Sequence, residues 1–142
     1  MKILFAIFLL FFQGGQAPDK WEWCGDSGPL SKEELVRVKP RELKERMVSC
    51  AVPRLPGAFD GQSTVILQVQ VDAKGNVGCV SVISGGQNPI MRRAALEAAR
   101  QWTFKPLMVN RKAKPYLGIL ALIVSWDTEK SSKQCPKEKR RA

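Results

Sequence analysis

The stretch Thr64-Val65-Ile66-Leu67-Gln68-Val69-Gln70-Val71-Asp72-Ala73-Lys74-Gly75-Asn76 decides the fold. Val65, Leu67, Val69 and Val71 share one side and Gln68 and Gln70 the other, the two-residue period of a strand with one buried face. Asp72 to Asn76 is turn chemistry, and Gly75 supplies the positive φ that a tight hairpin loop needs. Val77 to Ile83 is rich in β-formers and predicts the returning strand.

Downstream, Ser84-Gly85-Gly86-Gln87 interrupts the sheet, and Asn88-Pro89 places an N-cap before a proline suited to the first helical turn. The helix is predicted to run to Gln101, with Ile90, Met91, Ala94, Ala95, Ala98, Ala99 and Trp102 as its apolar stripe and Arg92, Arg93, Glu97 and Arg100 outside. Thr103-Phe104-Lys105-Pro106 then leads into a basic loop holding Arg111, Lys112 and Lys114. Pro115 to Trp126 is the longest and most apolar strand.

Upstream, Pro40 to Val48 reads as a helix, with Leu43 and Met47 on one face. Leu35-Val36-Arg37-Val38 alternates like a short strand, although Ser31-Lys32-Glu33-Glu34 before it has capping-box form. Pro53, Pro56, Gly57 and Gly61 make residues 49–63 irregular, and Pro18, Gly25, Gly28 and Pro29 make 18–30 a loop whose Trp21 and Trp23 cover apolar surface. The expected fold is α+β: a small antiparallel sheet with one main helix packed on one face.

At the N-terminus Met1-Lys2 precedes the apolar run Ile3 to Phe12 and the small-residue exit Gly15-Gln16-Ala17. That order predicts a secretory signal over residues 1–17. The apolar run is shorter than the roughly 20 residues a membrane-spanning helix requires. A periplasmic or secreted location follows. In such a compartment the even set Cys24, Cys50, Cys79 and Cys135 predicts two disulfides, with three pairings open. The sequence has no histidine and no Cys-x-x-Cys pair, so neither a metal nor another cofactor is expected. The same lack of histidine removes the serine and cysteine triads, and no paired acids suggest catalysis, so the protein is not expected to be an enzyme. The formal net charge of +10, part of it in the basic tail 127–142, directs an exported chain to anionic envelope polymer or lipid rather than nucleic acid.

The strand, turn, strand, helix and strand order, together with Val52-Pro53, Asp72-Ala73-Lys74-Gly75, Ser84-Gly85 and Trp102-Thr103-Phe104-Lys105-Pro106, resembles the C-terminal domain of the TonB family. The family's tyrosine before the proline is Val52 here, and Ser63 stands where a glycine usually precedes the first strand. Pro53, Gly75, Trp102, Phe104 and Pro106 are the structural residues of the shared pattern, whereas the family's Pro-rich linker has no counterpart. The implied organisation is a signal at 1–17, an extension with a short strand and helix at 18–49, the TonB-like domain at 50–126 and a tail at 127–142.

The resemblance also implies an exposed last strand that receives an extended partner segment by strand addition, along Gly118, Ile119, Leu120, Ala121, Leu122, Ile123, Val124, Ser125 and Trp126. The expected partner is a protein or peptide segment of an envelope protein, an outer-membrane receptor among the candidates, in a process linked to TonB-dependent transport. Two other readings stand beside it: adhesion to anionic cell-wall polymer or lipid through Arg92, Arg93, Arg111, Lys112, Lys114 and the tail, and a homodimer through paired final strands.

Overall fold

The computed structural model describes residues 21–25, 28–30, 35–55, 61–86, 88–125 and 134–135. The signal over 1–17, the capping-box residues Ser31 to Glu34, Trp126 and the charged residues of the tail lie outside the described residues.

The hairpin is built from β4 (Gln62–Val71) and β5 (Val77–Gly85), paired antiparallel. Asp72 closes it: its Oδ1 accepts from the N–H groups of Lys74 and Asn76, both at 2.9 Å. Gly75 has φ +92°, and a Cβ there would sit 2.0 Å from the Phe104 carbonyl oxygen, so both conformation and space demand glycine. The hairpin thereby joins β1 (Glu22–Cys24), β2 (Val36–Arg37) and β9 (Tyr116–Ser125) in one five-stranded sheet of order β1-β5-β4-β9-β2. β4 is central, and β9 pairs with it over all of its ten residues, from Val71↔Tyr116 to Gln62↔Ser125.

Helix α2 (Pro89–Ala99) covers one sheet face. The Asn88 side chain caps it by accepting from Met91 N–H at 3.0 Å, and Met91, Ala94, Ala95, Leu96 and Ala99 are buried in one cluster with the alternating valines and Leu67, whereas Ile90 of the predicted stripe is exposed. Its small residues let the backbone come close to the sheet. Trp102 follows, buried, its indole N–H donating to the Ala51 carbonyl at 2.9 Å. Phe104 is also buried, and its N–H donates to Gly75 C=O at 2.8 Å. The expected α+β class is thus present, with the main helix, the hairpin and the long last strand in place.

Four expectations change. Residues 18–30 are not all loop: Glu22–Cys24 pairs antiparallel with Ser81, Val80 and Cys79, an arrangement that depends on residues far along the chain and leaves no local pattern. Trp21 and Trp23 do pack against the core. The upstream helix α1 (Pro40–Glu45) stops before Met47, because β3 (Met47–Ser49) pairs with β6 (Thr103–Phe104), and Lys105 N–H takes the Arg46 carbonyl at 2.7 Å. The basic loop contains a small hairpin, β7 (Leu107–Val109) with β8 (Lys112–Lys114), turning through Asn110 and Arg111, both at positive φ. Lastly, the sheet is mixed, since β2 runs parallel to β9.

The four cysteines form two disulfides, Cys24–Cys79 and Cys50–Cys135. The first ties β1 to β5 across a directly paired position. The second ties the segment after α1 to residue 135.

Candidate functional site: the outer edge of β9

β9 is not simply the last strand of the sheet, because β2 lies beyond it. That cover is short. Val36 N–H donates to Pro115 C=O at 3.2 Å and Val38 N–H to Leu117 C=O at 2.9 Å, and the register of β2 ends at Leu117. These two bonds fix the direction of every backbone group that follows. In an antiparallel ladder, alternate residues turn their N–H and C=O to one neighbour or the other. Leu117 faces away from β4, and no register shift interrupts the β4–β9 ladder, so Ile119, Ala121 and Ile123 face away as well.

Ile123 is occupied. Its N–H donates to Gln134 Oε1, and its C=O accepts from Gln134 Nε2 at 2.6 Å. Ile119 and Ala121 have no partner for these outward groups among the described residues, and both side chains are exposed, Ile119 to 43%. An unpaired backbone donor and acceptor in a strand edge is a template for another strand.

Beneath this edge lies a cavity of about 280 Å³ lined by Met47, Trp102, Leu120 and Leu122, with Lys44 and Gln134 also on its wall. Its position follows from the pleat. Leu120 and Leu122 stand opposite Leu67 and Val65 on the helix-covered face, while Ile119 and Ala121 point to the other face. α1 closes one end, where Leu43, fully buried, packs on Gly118. A Cβ on Gly118 would meet Leu43 Cδ2 at 2.7 Å, so this glycine serves close packing and not partner contact.

Of the nine residues predicted to receive a partner, Trp126 lies outside the described residues and the other eight divide. Ile119 and Ala121 present both side chain and backbone, and Leu120 is half-buried at the cavity. Ile123 meets Gln134 instead. Gly118, Leu122, Val124 and Ser125 are buried, facing the core or their neighbours in the sheet. Gln134 lies outside the predicted segment, since a glutamine in a charged tail carries no local signal for pairing with a strand edge.

The remaining candidates are less favourable. Arg92 is engaged internally: it donates to the Gly86 carbonyl at 2.9 Å and lies over the Trp21 ring at 5.2 Å. Together with the Asn88 cap, this fills the start of α2 with groups of the chain itself. Arg93, Arg111, Lys112 and Lys114 are exposed, on two separate elements. Glu22, Cys24 and Cys79 gather their ligand atoms within 4.8 Å, but the two sulfurs are bonded to each other and are not thiolates.

Tyr116 opens β9 as a buried phenol whose O–H donates to Lys105 C=O at 2.9 Å. Burial pushes its pKa up to about 12, against the opposing pull of Arg46, whose guanidinium lies 5.8 Å from the ring centre. Glu42 adds to the upward shift. Its hydrogen bond to Lys105 anchors the start of the strand.

The site is thus a strand edge that is half open among the described residues, beside a cavity with a largely apolar wall. Residues 60–122 match the family model for the Gram-negative bacterial TonB protein C-terminal. The chain is also 49% identical over 57 residues to Protein TonB of Xanthomonas campestris pathovar campestris, in strain B100 and equally in strain ATCC 33913. That match covers 39% of this chain and 26% of each relative, so the chain spans about a quarter of the length of the relatives it matches. No solved structure matches it. The chain carries a TonB C-terminal-like domain. No helix among the described residues is long and apolar enough to cross a membrane.

Proposed function

We propose that this protein is a non-enzymatic interaction module of the cell envelope, exported to the periplasm or beyond, that binds an extended segment of an envelope protein by strand addition to β9. An outer-membrane receptor taking part in TonB-dependent transport is the partner class that the likeness to Protein TonB favours. The observation that carries the reading is the pair Ile119 and Ala121, whose outward backbone groups have no partner among the described residues and lie beside a largely apolar cavity. Backbone pairing would supply affinity, and the cavity would select one apolar side chain of the partner.

The parity of β9 makes the test specific. Ala121 turns its N–H outward, so Ala121→Pro removes a donor needed by an incoming strand and leaves the β4 ladder whole; edge positions of this kind tolerate proline. Leu120 turns its N–H to β4, so Leu120→Pro breaks the sheet itself. Short synthetic segments of outer-membrane receptors, titrated calorimetrically, are expected to bind the wild type, to bind folded Ala121→Pro at least ten-fold more weakly, and to keep their affinity at high salt. Equal binding by Ala121→Pro, with affinity collapsing as salt rises, would instead assign binding to the exposed cations Arg93, Arg111, Lys112 and Lys114.

A further inference from the structure

A glutamine side chain ends in an amide, one donor and one acceptor in the same plane, and so carries the hydrogen-bonding groups of a peptide unit. Gln134 uses both on one residue: Oε1 takes the Ile123 N–H and Nε2 gives to the Ile123 carbonyl. A residue of a neighbouring antiparallel strand makes this same two-bond exchange. Its position is secured by the next residue, since Cys135 is 2% exposed and joined to Cys50, which borders the same cavity. At the other end, β2 covers Tyr116 and Leu117. The accepting stretch is thus bounded on both sides: closed through Leu117, open at Ile119 and Ala121, and closed again at Ile123.

Resting on the strand-addition reading, we propose that Gln134, held in place by Cys50–Cys135, is a specificity-determining residue that occupies Ile123 as a substitute strand. It thereby limits a partner to a short segment pairing only with Ile119 and Ala121. Such a partner must carry its apolar side chain within that short stretch to reach the cavity, and must leave the sheet before Ile123. Peptide length is then read directly by the site: residues added beyond Ala121 find no free backbone group.

The test uses the full chain and blocked peptides of alternating Thr and Val, in a short and a long version, with amide hydrogen exchange followed by NMR. In the free wild type, the Ile123 amide is expected to be protected while those of Ile119 and Ala121 exchange rapidly. Gln134→Ala, which keeps the disulfide, should release Ile123 at least ten-fold. On peptide addition the wild type should gain protection at Ile119 and Ala121 only, with equal affinity for both lengths. Gln134→Ala should extend protection to Ile123 and bind the long peptide about ten-fold more tightly than the short one, the effect of one or two added backbone hydrogen bonds. The double variant Cys50→Ser with Cys135→Ser should behave like Gln134→Ala wherever it folds. Rapid exchange of Ile123 in the wild type, or the same length dependence in both proteins, overturns the role of Gln134 and leaves strand addition standing. Absence of protection at Ile119 and Ala121 with either peptide in every protein overturns strand addition, and the limit set by Gln134 falls with it.

Discussion

β4 and β9 have the same length and lie side by side, yet they are different kinds of strand. β4 is paired along both edges, and its outward face carries Gln68 and Gln70. β9 turns Leu120, Leu122 and Val124 to the core, but its other face carries Ile119, Ala121 and Ile123, and half of its outer edge has no strand beside it among the described residues. A strand whose polar groups are satisfied and whose exposed face is polar is finished by its own chain. One that is apolar on both faces and partly unpaired offers a template for a further strand, and the proposed binding rests on this contrast rather than on hydrophobicity alone.

Truncation of the cross-strand pair Leu67 and Leu120 measures the contrast most strongly. Leu67 is fully buried, so Leu67→Ala is expected to cost about 3 kcal/mol in denaturant unfolding, the transfer loss plus the cavity left behind. Leu120 borders space already empty, so Leu120→Ala should cost less than half as much, about 1 kcal/mol. Equal losses would mean that the edge is as closely packed as the centre. Gly118→Ala comes next, at about 1–2 kcal/mol, because the new methyl group meets buried Leu43.

Alkaline titration separates the anchored start of β9 from its open middle. The folded-state pKa of Tyr116 is about 12 against an ordinary 10.0, so between those values the folded form keeps a proton that the unfolded form has lost. Stability from this group is complete below pH 10 and declines as pH rises toward 12. Urea midpoints measured across that range should fall for the wild type, and the decline should be smaller for Tyr116→Phe. The smallest effect is expected at Ile119→Thr, within about 0.5 kcal/mol of wild-type stability because the side chain is exposed and threonine suits a strand. A large loss there would show that the outward face of β9 is covered within the chain itself.

Much of the centre was legible because its signals are local. The Val65 to Val71 alternation, the Asp72 to Asn76 turn and the Asn88-Pro89 helix start each act within a few residues, and all three appear in the structure. The periphery was harder to read because its order comes from distant partners. Met47 shares helical spacing with Leu43, yet pairing with Phe104 makes it a strand residue. Asn110 and Arg111 turn a hairpin at positive φ without glycine, the usual marker. The candidate edge was legible as a segment but not in its parity, which depends on where Val36 and Val38 attach. Cysteine count indicated disulfides, while the pairing needed the fold.

Thr103 to Lys105 has a further consequence, for the dynamics of the molecule. Thr103 Oγ1 lies 2.6 Å from Ser49 Oγ, Phe104 bonds to the hairpin turn at Gly75, Lys105 N–H bonds to Arg46 at the end of α1, and Lys105 C=O holds Tyr116 at the start of β9. Three consecutive residues thus connect parts of the chain that would otherwise open independently. Such a junction merges local fluctuations into one cooperative unit, so the protected amides of α1, the hairpin turn and early β9 should exchange through a shared opening rather than as separate regions. The edge beyond Leu117 lies outside this junction, so the amides of Ile119 and Ala121 are expected to exchange independently of it.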